Sequence, residues 1–340
     1  MELAEALGIS TLTADLGRVE SALRASVQTD DPFLTDVAAH LIGAGGKRIR
    51  PALAVSAGCA GGVRPALEDV ITGAVAVELV HLGSLYHDDV IDEAATRRGV
   101  DSVNARWSNI VAILAGDFLL ARASGLAASL GVEVAGLLAA TIGELCKGQV
   151  LELQRLFDVN RDEAAYFGCI DGKTGALMAT SCRIGALVGG LDRPAVDALT
   201  RYGRHVGTIF QIVDDVLDLT ASDEELGKPA GLDLAEGIYT LPVIYALREP
   251  GSDELRNLLG GPLDAAGVAE GRRLACANGS VDSALAVAER HAASAARALE
   301  GAKLDPEVVD GLGRLCRVLI DRSAPALGRP GFPAASPARS

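Results

Sequence analysis

Two segments of the chain carry the same pattern inside apolar sequence: Asp88-Asp89-Val90-Ile91-Asp92 and Asp214-Asp215-Val216-Leu217-Asp218. On a helix, Asp88 and Asp92 stand at i and i+4 and share a face, with Cβ atoms about 5–6 Å apart. Asp214 and Asp218 repeat that geometry, with Asp215 beside them. Stacked like charges weaken a free helix. The intervening Val90, Ile91, Val216 and Leu217 are apolar and tether each segment to a core. Carboxylates held this way are poised for a hard cation. Mg²⁺ takes oxygen ligands, keeps waters and uses a few carboxylates together with phosphate oxygens. One such motif is as well explained by a solvated acidic face; two near-identical ones with basic neighbours are not. An EF-hand is excluded, because no twelve-residue loop has glycine at its centre and glutamate at its end.

The rest of the chain reads as helix. Leu16, Val19, Leu23 and Val27 recur at helical spacing. Pro32 suits a helix start. Further helices are expected at 51–59, 66–94, 110–130, 132–157, 162–169, 174–189, 195–219, 241–247, 252–259, 263–278, 280–299 and 305–321. No strand-type alternation is sustained, so the fold class is all-α. The 340 residues would permit two domains, but no linker divides two compositions. One large helical bundle over 1–323 is expected, followed by a loose Pro-, Ala-, Gly- and Ser-rich tail over 324–340.

A net charge of −14 argues against nucleic acid as a partner, since that needs a basic face. Anionic small substrates stay open, because a metal ion inverts the local charge. Cys59, Cys146, Cys169, Cys182, Cys276 and Cys316 are scattered without a C-x-x-C pair. They read as buried or partly buried thiols of a reducing cytosol, and a cytoplasmic location is expected. Met1 is not followed by a basic start and an apolar run, so no signal peptide is expected. The apolar stretches Val70–Leu85 and Asn109–Leu120 read as too short to span a bilayer; contact with lipid stays open.

Basic residues punctuate this acidic, apolar chain. Gly45-Gly46-Lys47-Arg48-Ile49-Arg50-Pro51 sets three cations in a glycine break before a helix, a setting that favours anions. Arg97-Arg98 follows the first acidic motif, Lys173-Thr174 lies between Gly172 and Gly175, and Lys228 follows the second motif. Singly, each is an ordinary surface charge. Together they supply what two diphosphates and several metals would require.

These blocks are similar to those of the trans-prenyltransferases of the polyprenyl synthetase family. GGKRIRP, HDDVIDEAATRRG, GDFLLARA, GKTGALMATSC, FQIVDDVLD and GKPAGLDLAEG with TLPVIYAL occur in the family's order, between about Asp31 and Asp321. The resemblance implies a homodimer with a deep cavity between the two acidic helices. It implies Asp88, Asp92, Asp214 and Asp218 as Mg²⁺ ligands, three ions per site, with Asp89 and Asp215 in support and Lys173 in the catalytic group. Lys47, Arg50, His81 and Arg98 would bind isopentenyl diphosphate. Arg97, Lys173, Thr174, Gln211 and Lys228 would hold or line the allylic diphosphate. Ile238 departs from the pattern, since many relatives carry a second lysine there. His87 is as readily an ordinary helix histidine.

Product length rests on the residues one turn before Asp88. Gly83 and Ser84 are small and are expected near the Asp88 face, where short-chain relatives often place aromatic bulk. A long all-trans product is expected, such as a quinone side-chain precursor, with membrane contact during its release. Geranylgeranyl diphosphate is the alternative, if Val80 or the 110–120 helix blocks the path. A class I terpene cyclase would carry an Asn/Ser/Glu second motif in place of a second DDxxD. A non-catalytic partner subunit would be expected to lose acidic ligands, and none is lost.

Overall fold

The computed structural model describes residues 3–226 and 229–327. The chain runs α1 (Leu3–Leu7), α2 (Leu12–Ser26), α3 (Pro32–Gly43), α4 (Ile49–Gly58) and α5 (Glu68–Ile91). A two-stranded ribbon follows, β1 (Thr96–Arg97) and β2 (Val100–Asp101). Next come α6 (Val103–Arg106), α7 (Asn109–Ser129), α8 (Val132–Leu153) and α9 (Glu163–Ile170). A π-helical turn at Asp171–Gly175 leads into α10 (Ala176–Val188) and α11 (Arg193–Thr220). The remainder is α12 (Asp223–Leu226), α13 (Leu232–Ala235), α14 (Leu241–Arg248), α15 (Asp253–Leu258), α16 (Ala265–Cys276), α17 (Ser280–Leu299) and α18 (Pro306–Asp321). The bundle is all-α, as expected.

Local chemistry sets several boundaries. Asp31 caps α3 by accepting from the backbone N–H groups of Phe33 and Leu34, with Pro32 in the first turn. Asp192 and Asp305 cap α11 and α18 in the same way, each before a proline. α5 is buried on nearly every side, from Val70 to Asp89, and runs through the bundle's interior. It crosses α7 closely at Gly83, where an added Cβ would lie 3.0 Å from the Gly116 carbonyl oxygen.

Five expectations need correction. The helix expected over 66–94 stops at Ile91, because the chain turns there into an antiparallel ribbon pairing Thr96 with Asp101. The helix expected over 174–189 is preceded by a π-turn that carries Lys173. α5, α7 and α8 are each long and apolar enough, by length and composition, to cross a membrane. The most apolar window of α5 is 72% buried in the bundle, against 33% for α7 and 22% for α8. Cys146 is exposed, unlike the other cysteines, because α8 lies at the periphery. Finally, part of the expected tail is ordered: Pro325–Leu327 form a 3₁₀ turn, and Leu327 packs on the core. Residues 328–340 lie outside the described residues.

Candidate active site

Both acidic motifs fall at helix C-termini. Asp92 caps the end of α5, its N–H bonding to the Asp88 carbonyl at 2.8 Å. Asp214–Asp218 occupy the last turns of α11, which ends at Thr220. The macrodipole places partial negative charge at this end of a helix. Each carboxylate group therefore adds to an already negative potential, and a cation relieves both.

Burial sharpens the effect at Asp88. Desolvation pushes its pKa up to about 6, against the opposing pull of Lys173, while Asp92 adds like-charge repulsion. Asp89 is fully buried and faces Arg97, whose Nε donates to Oδ1 at 2.7 Å; its Oδ2 has no hydrogen-bond partner. Asp215 is also buried. Tyr166 donates its hydroxyl to Oδ2 at 2.6 Å and Gln211 Nε2 donates to Oδ1 at 2.8 Å, yet desolvation still raises its pKa. Thr174 extends the chain by donating to Gln211 Oε1 at 2.9 Å. Asp218 accepts from the Asp233 N–H at 3.2 Å, and so ties the loop 229–240 to α11. Asp214 accepts from Arg322 Nη1 at 3.1 Å.

Lys173 stands on the π-turn, ion-paired with Glu152 of α8 and within the field of Asp88. It lines two cavities. One, of about 470 Å³, is polar and is walled by Asp92, Arg97, Glu152, Arg161, Tyr166, Gln211, Asp215, Asp233, Glu236 and Ile238. The other, of about 300 Å³, is mainly apolar and runs below Asp88 past Ser84, His87, Leu145, Cys146, Val150 and Leu153. The expected Asp88 face is therefore half right. Ser84 lines the apolar cavity, whereas Gly83 points away into α7, where its missing side chain lets Gly116 and Leu120 approach.

The cations near α4 form a second cluster. Arg48 is a structural staple, bonded to Glu20 at 2.9 Å and Glu78 at 3.0 Å. Arg50 lies in the fields of both Asp88 and Asp214; burial lowers its pKa to about 10, and its Nε has no partner. Arg98, in the ribbon turn, donates to the Leu41 carbonyl at 3.2 Å and comes within 3.5 Å of His81 Nε2. Burial and the Arg50 and Arg98 charges hold His81 well below its usual pKa, hence neutral. Gly46 (φ 147°) admits Arg98, whose guanidinium carbon would lie 2.9 Å from an added Cβ. Lys47 sits apart from both cavities above, in a groove of about 540 Å³ beside Arg322; burial, and then the Arg322 charge, lowers the Lys47 pKa. His87 contacts the Ile113 carbonyl at 3.2 Å and Asp117 at 3.4 Å. Lys228 lies outside the described residues.

Several polar residues of the site escape sequence reasoning: Glu152, Arg161, Tyr166, Asp233, Glu236 and Arg322. Tyr166 lies one helix before Lys173 but carries no motif. Arg322 reaches Asp214 across 108 positions, which no local pattern reveals. Among the described residues no group of three or more His, Cys, Asp or Glu side chains converges on a single metal position. The donors on the two acidic faces are all carboxylate oxygens, with no thiolate. That set suits a hard cation whose shell is completed by water and phosphate oxygens.

A family model described as polyprenyl synthetase matches residues 31–270. The nonaprenyl diphosphate synthase of Mycobacterium tuberculosis is 42% identical, over 78% of this chain and 79% of that protein. Heptaprenyl diphosphate synthase component 2 of Geobacillus stearothermophilus is 44% identical, over 71% and 75%. Among solved structures, a polyprenyl synthase from Caulobacter crescentus complexed with calcium and isoprenyl diphosphate superposes with a TM-score of 0.86 at 32% identity, over 93% and 97%. A geranylgeranyl pyrophosphate synthase from Corynebacterium glutamicum complexed with the same ligands reaches 0.80 at 41% identity, over 92% and 96%. With two acidic helix ends, a lysine between polar and apolar cavities, and this similarity over most of its length, the chain belongs to the polyprenyl synthetase family.

Proposed function

We propose that the chain is a Mg²⁺-dependent all-trans prenyltransferase that condenses isopentenyl diphosphate with an allylic diphosphate to give a long-chain polyprenyl diphosphate. The observation that carries this reading is the continuity at Lys173: a charged cavity for diphosphate on one side, an apolar cavity for a growing tail on the other.

Asp88, Asp92, Asp214 and Asp218 would hold the metal, three ions in all. When bound, it supplies electrostatic neutralisation of the departing diphosphate. Lys173, Arg97, Thr174 and Gln211 orient the allylic diphosphate over the apolar cavity. Lys47, Arg50 and Arg98 receive isopentenyl diphosphate, and neutral His81 adds an N–H donor. Asp89 and Asp215 hold their neighbours in place through Arg97, Tyr166 and Gln211. Leu145, Val150 and Leu153 give the growing tail an apolar wall, and a second copy of the chain over the outward side of α8 would close it from water. The proton lost after condensation passes to the released diphosphate.

Ser84 supports a long product, since it puts no bulk beneath Asp88. A quinone side-chain precursor fits that product class. The similarity to a geranylgeranyl pyrophosphate synthase keeps a twenty-carbon product as the second reading. The outward faces of α7 and α8 expose Ile110, Ile113, Leu114 and Val150. A second copy of the chain in a cytoplasmic homodimer would cover them; the relative named as component 2 makes a different partner subunit the alternative.

The test is to incubate the purified chain with Mg²⁺, farnesyl diphosphate and labelled isopentenyl diphosphate. Dephosphorylated products are then separated by thin-layer chromatography. Chains well beyond twenty carbons are expected. Products of twenty carbons or fewer would overturn the long-chain reading, and no product from the chain alone would favour a required partner subunit.

A further inference from the structure

Arg161 stands immediately before Asp162, the cap of α9, and is 5% exposed. A buried guanidinium is costly unless an anion meets it. It makes no ion pair with a described carboxylate. Its Nη1 donates to the Tyr239 carbonyl at 3.2 Å, its guanidinium carbon lies 5.8 Å from the centre of the Tyr166 ring, and its Nε has no partner. Most of its five donors are thus unspent. Nearby Asp215 is already satisfied by Tyr166 and Gln211.

Arg161 lines the same 470 Å³ cavity as Lys173, Arg97 and Gln211. The loop 229–240 lines the same cavity and presents Ile238, which has no charge, next to the Tyr239 whose carbonyl Arg161 holds. Two contacts fix the loops' relative position. Phe157 N–H donates to the Gly237 carbonyl at 2.8 Å, and Gly237 (φ 76°) lies against the Phe157 ring with no room for a Cβ. The cation on this wall therefore comes from the segment before α9, not from the loop itself.

We infer that Arg161 is a diphosphate-binding residue of the allylic subsite, supplying the positive charge that Ile238 does not. The inference rests on the prenyl-transfer reading above. An arginine there offers the forked, paired donation that suits phosphate oxygens. The competing role is purely structural, a staple from the segment before α9 to Tyr239.

Arg161→Gln separates the two, because glutamine still donates to a carbonyl but carries no charge. Binding of farnesyl diphosphate with Mg²⁺, without isopentenyl diphosphate, is measured by calorimetry alongside steady-state kinetics. Arg161→Gln is expected to weaken farnesyl diphosphate binding and raise its KM at least tenfold, with the KM for isopentenyl diphosphate changed less than about twofold. Adding Ile238→Lys to Arg161→Gln is expected to recover most of that loss. In the unaltered background, Ile238→Lys is expected to tighten farnesyl diphosphate binding several-fold, a reading that does not depend on how Arg161→Gln folds. Wild-type affinity in a folded Arg161→Gln protein, or no effect of Ile238→Lys in either background, overturns the inference. A wild-type protein that binds no farnesyl diphosphate with Mg²⁺ overturns the prenyl-transfer reading instead.

Discussion

Tyr166 of α9 donates its hydroxyl to Asp215 Oδ2 at 2.6 Å, within the second acidic motif. Gln211, one turn earlier on α11, takes the other oxygen. Both Asp215 oxygens are thus engaged within the protein, in keeping with the proposal that Asp214 and Asp218 are the metal ligands of this motif. Tyr166→Phe is expected to cost about 1–3 kcal/mol of stability, the range for leaving a buried acceptor unsatisfied. Because the motif shifts, kcat should fall roughly tenfold while the KM for isopentenyl diphosphate changes little. Denaturant melts and steady-state kinetics check both; unchanged kcat would mean that Asp215 needs no anchor.

Asp88→Ala removes a carboxylate that feels both the Lys173 and the Asp92 charge. A loss of about 10³-fold in kcat/KM is expected, in line with removal of a preorganised electrostatic group. The variant should also need more Mg²⁺ for half-maximal rate. For the parent, chelation should abolish turnover and added Mg²⁺ should restore it, with the helical circular dichroism unchanged throughout. Activity within a few-fold of the parent in Asp88→Ala would remove it from the metal site.

Ser84 and Gly83 are adjacent but should behave differently. Ser84→Phe places a ring in the apolar cavity below Asp88 and is expected to shift the product ladder to twenty carbons or fewer, with the first condensation retained. Gly83→Val has no such space, since its Cβ meets the Gly116 carbonyl at 3.0 Å and Leu120 Cγ at 3.2 Å. A stability loss of about 1–3 kcal/mol is expected there, as for overpacking. Product chromatography and thermal melts read the two outcomes.

The imidazoles of His205 and His291 meet at 3.1 Å between α11 and α17. Burial, then His205 and Arg290, pushes the His291 pKa down to about 4, and burial lowers that of His205 as well. An unfolded histidine takes a proton near its ordinary value of about 6.5, whereas the folded one does so only nearer 4. The neutral pair is thus fully compatible with folding above about pH 6.5, and stability declines as the pH falls from there towards 4. After allowance for partial exposure, about 1–2 kcal/mol should be involved. His291→Gln should flatten the dependence of melting temperature on pH over that window; an unchanged slope would assign the acid lability elsewhere.

The all-α class was legible in the sequence, through 3.6-residue periodicity and the lack of strand alternation. The sequence also located the acidic motifs and most of the cations, because i and i+4 carboxylates on apolar helices are a local pattern. It did not reveal the ribbon after Ile91 or the π-turn at Lys173, where a short turn departs from a continuous helical pattern. Tertiary structure alone decided which neighbour each charge meets. Arg48 became a staple to Glu20 and Glu78, while Arg50, two residues on, was left buried in the fields of Asp88 and Asp214 with its Nε unpartnered. Gly83 was spent on helix approach and Ser84 on the cavity, although both are small. Such differences depend on rotation about a helix axis and on contacts across a hundred residues, as in Arg322 to Asp214, and neither is written in any local run of residues.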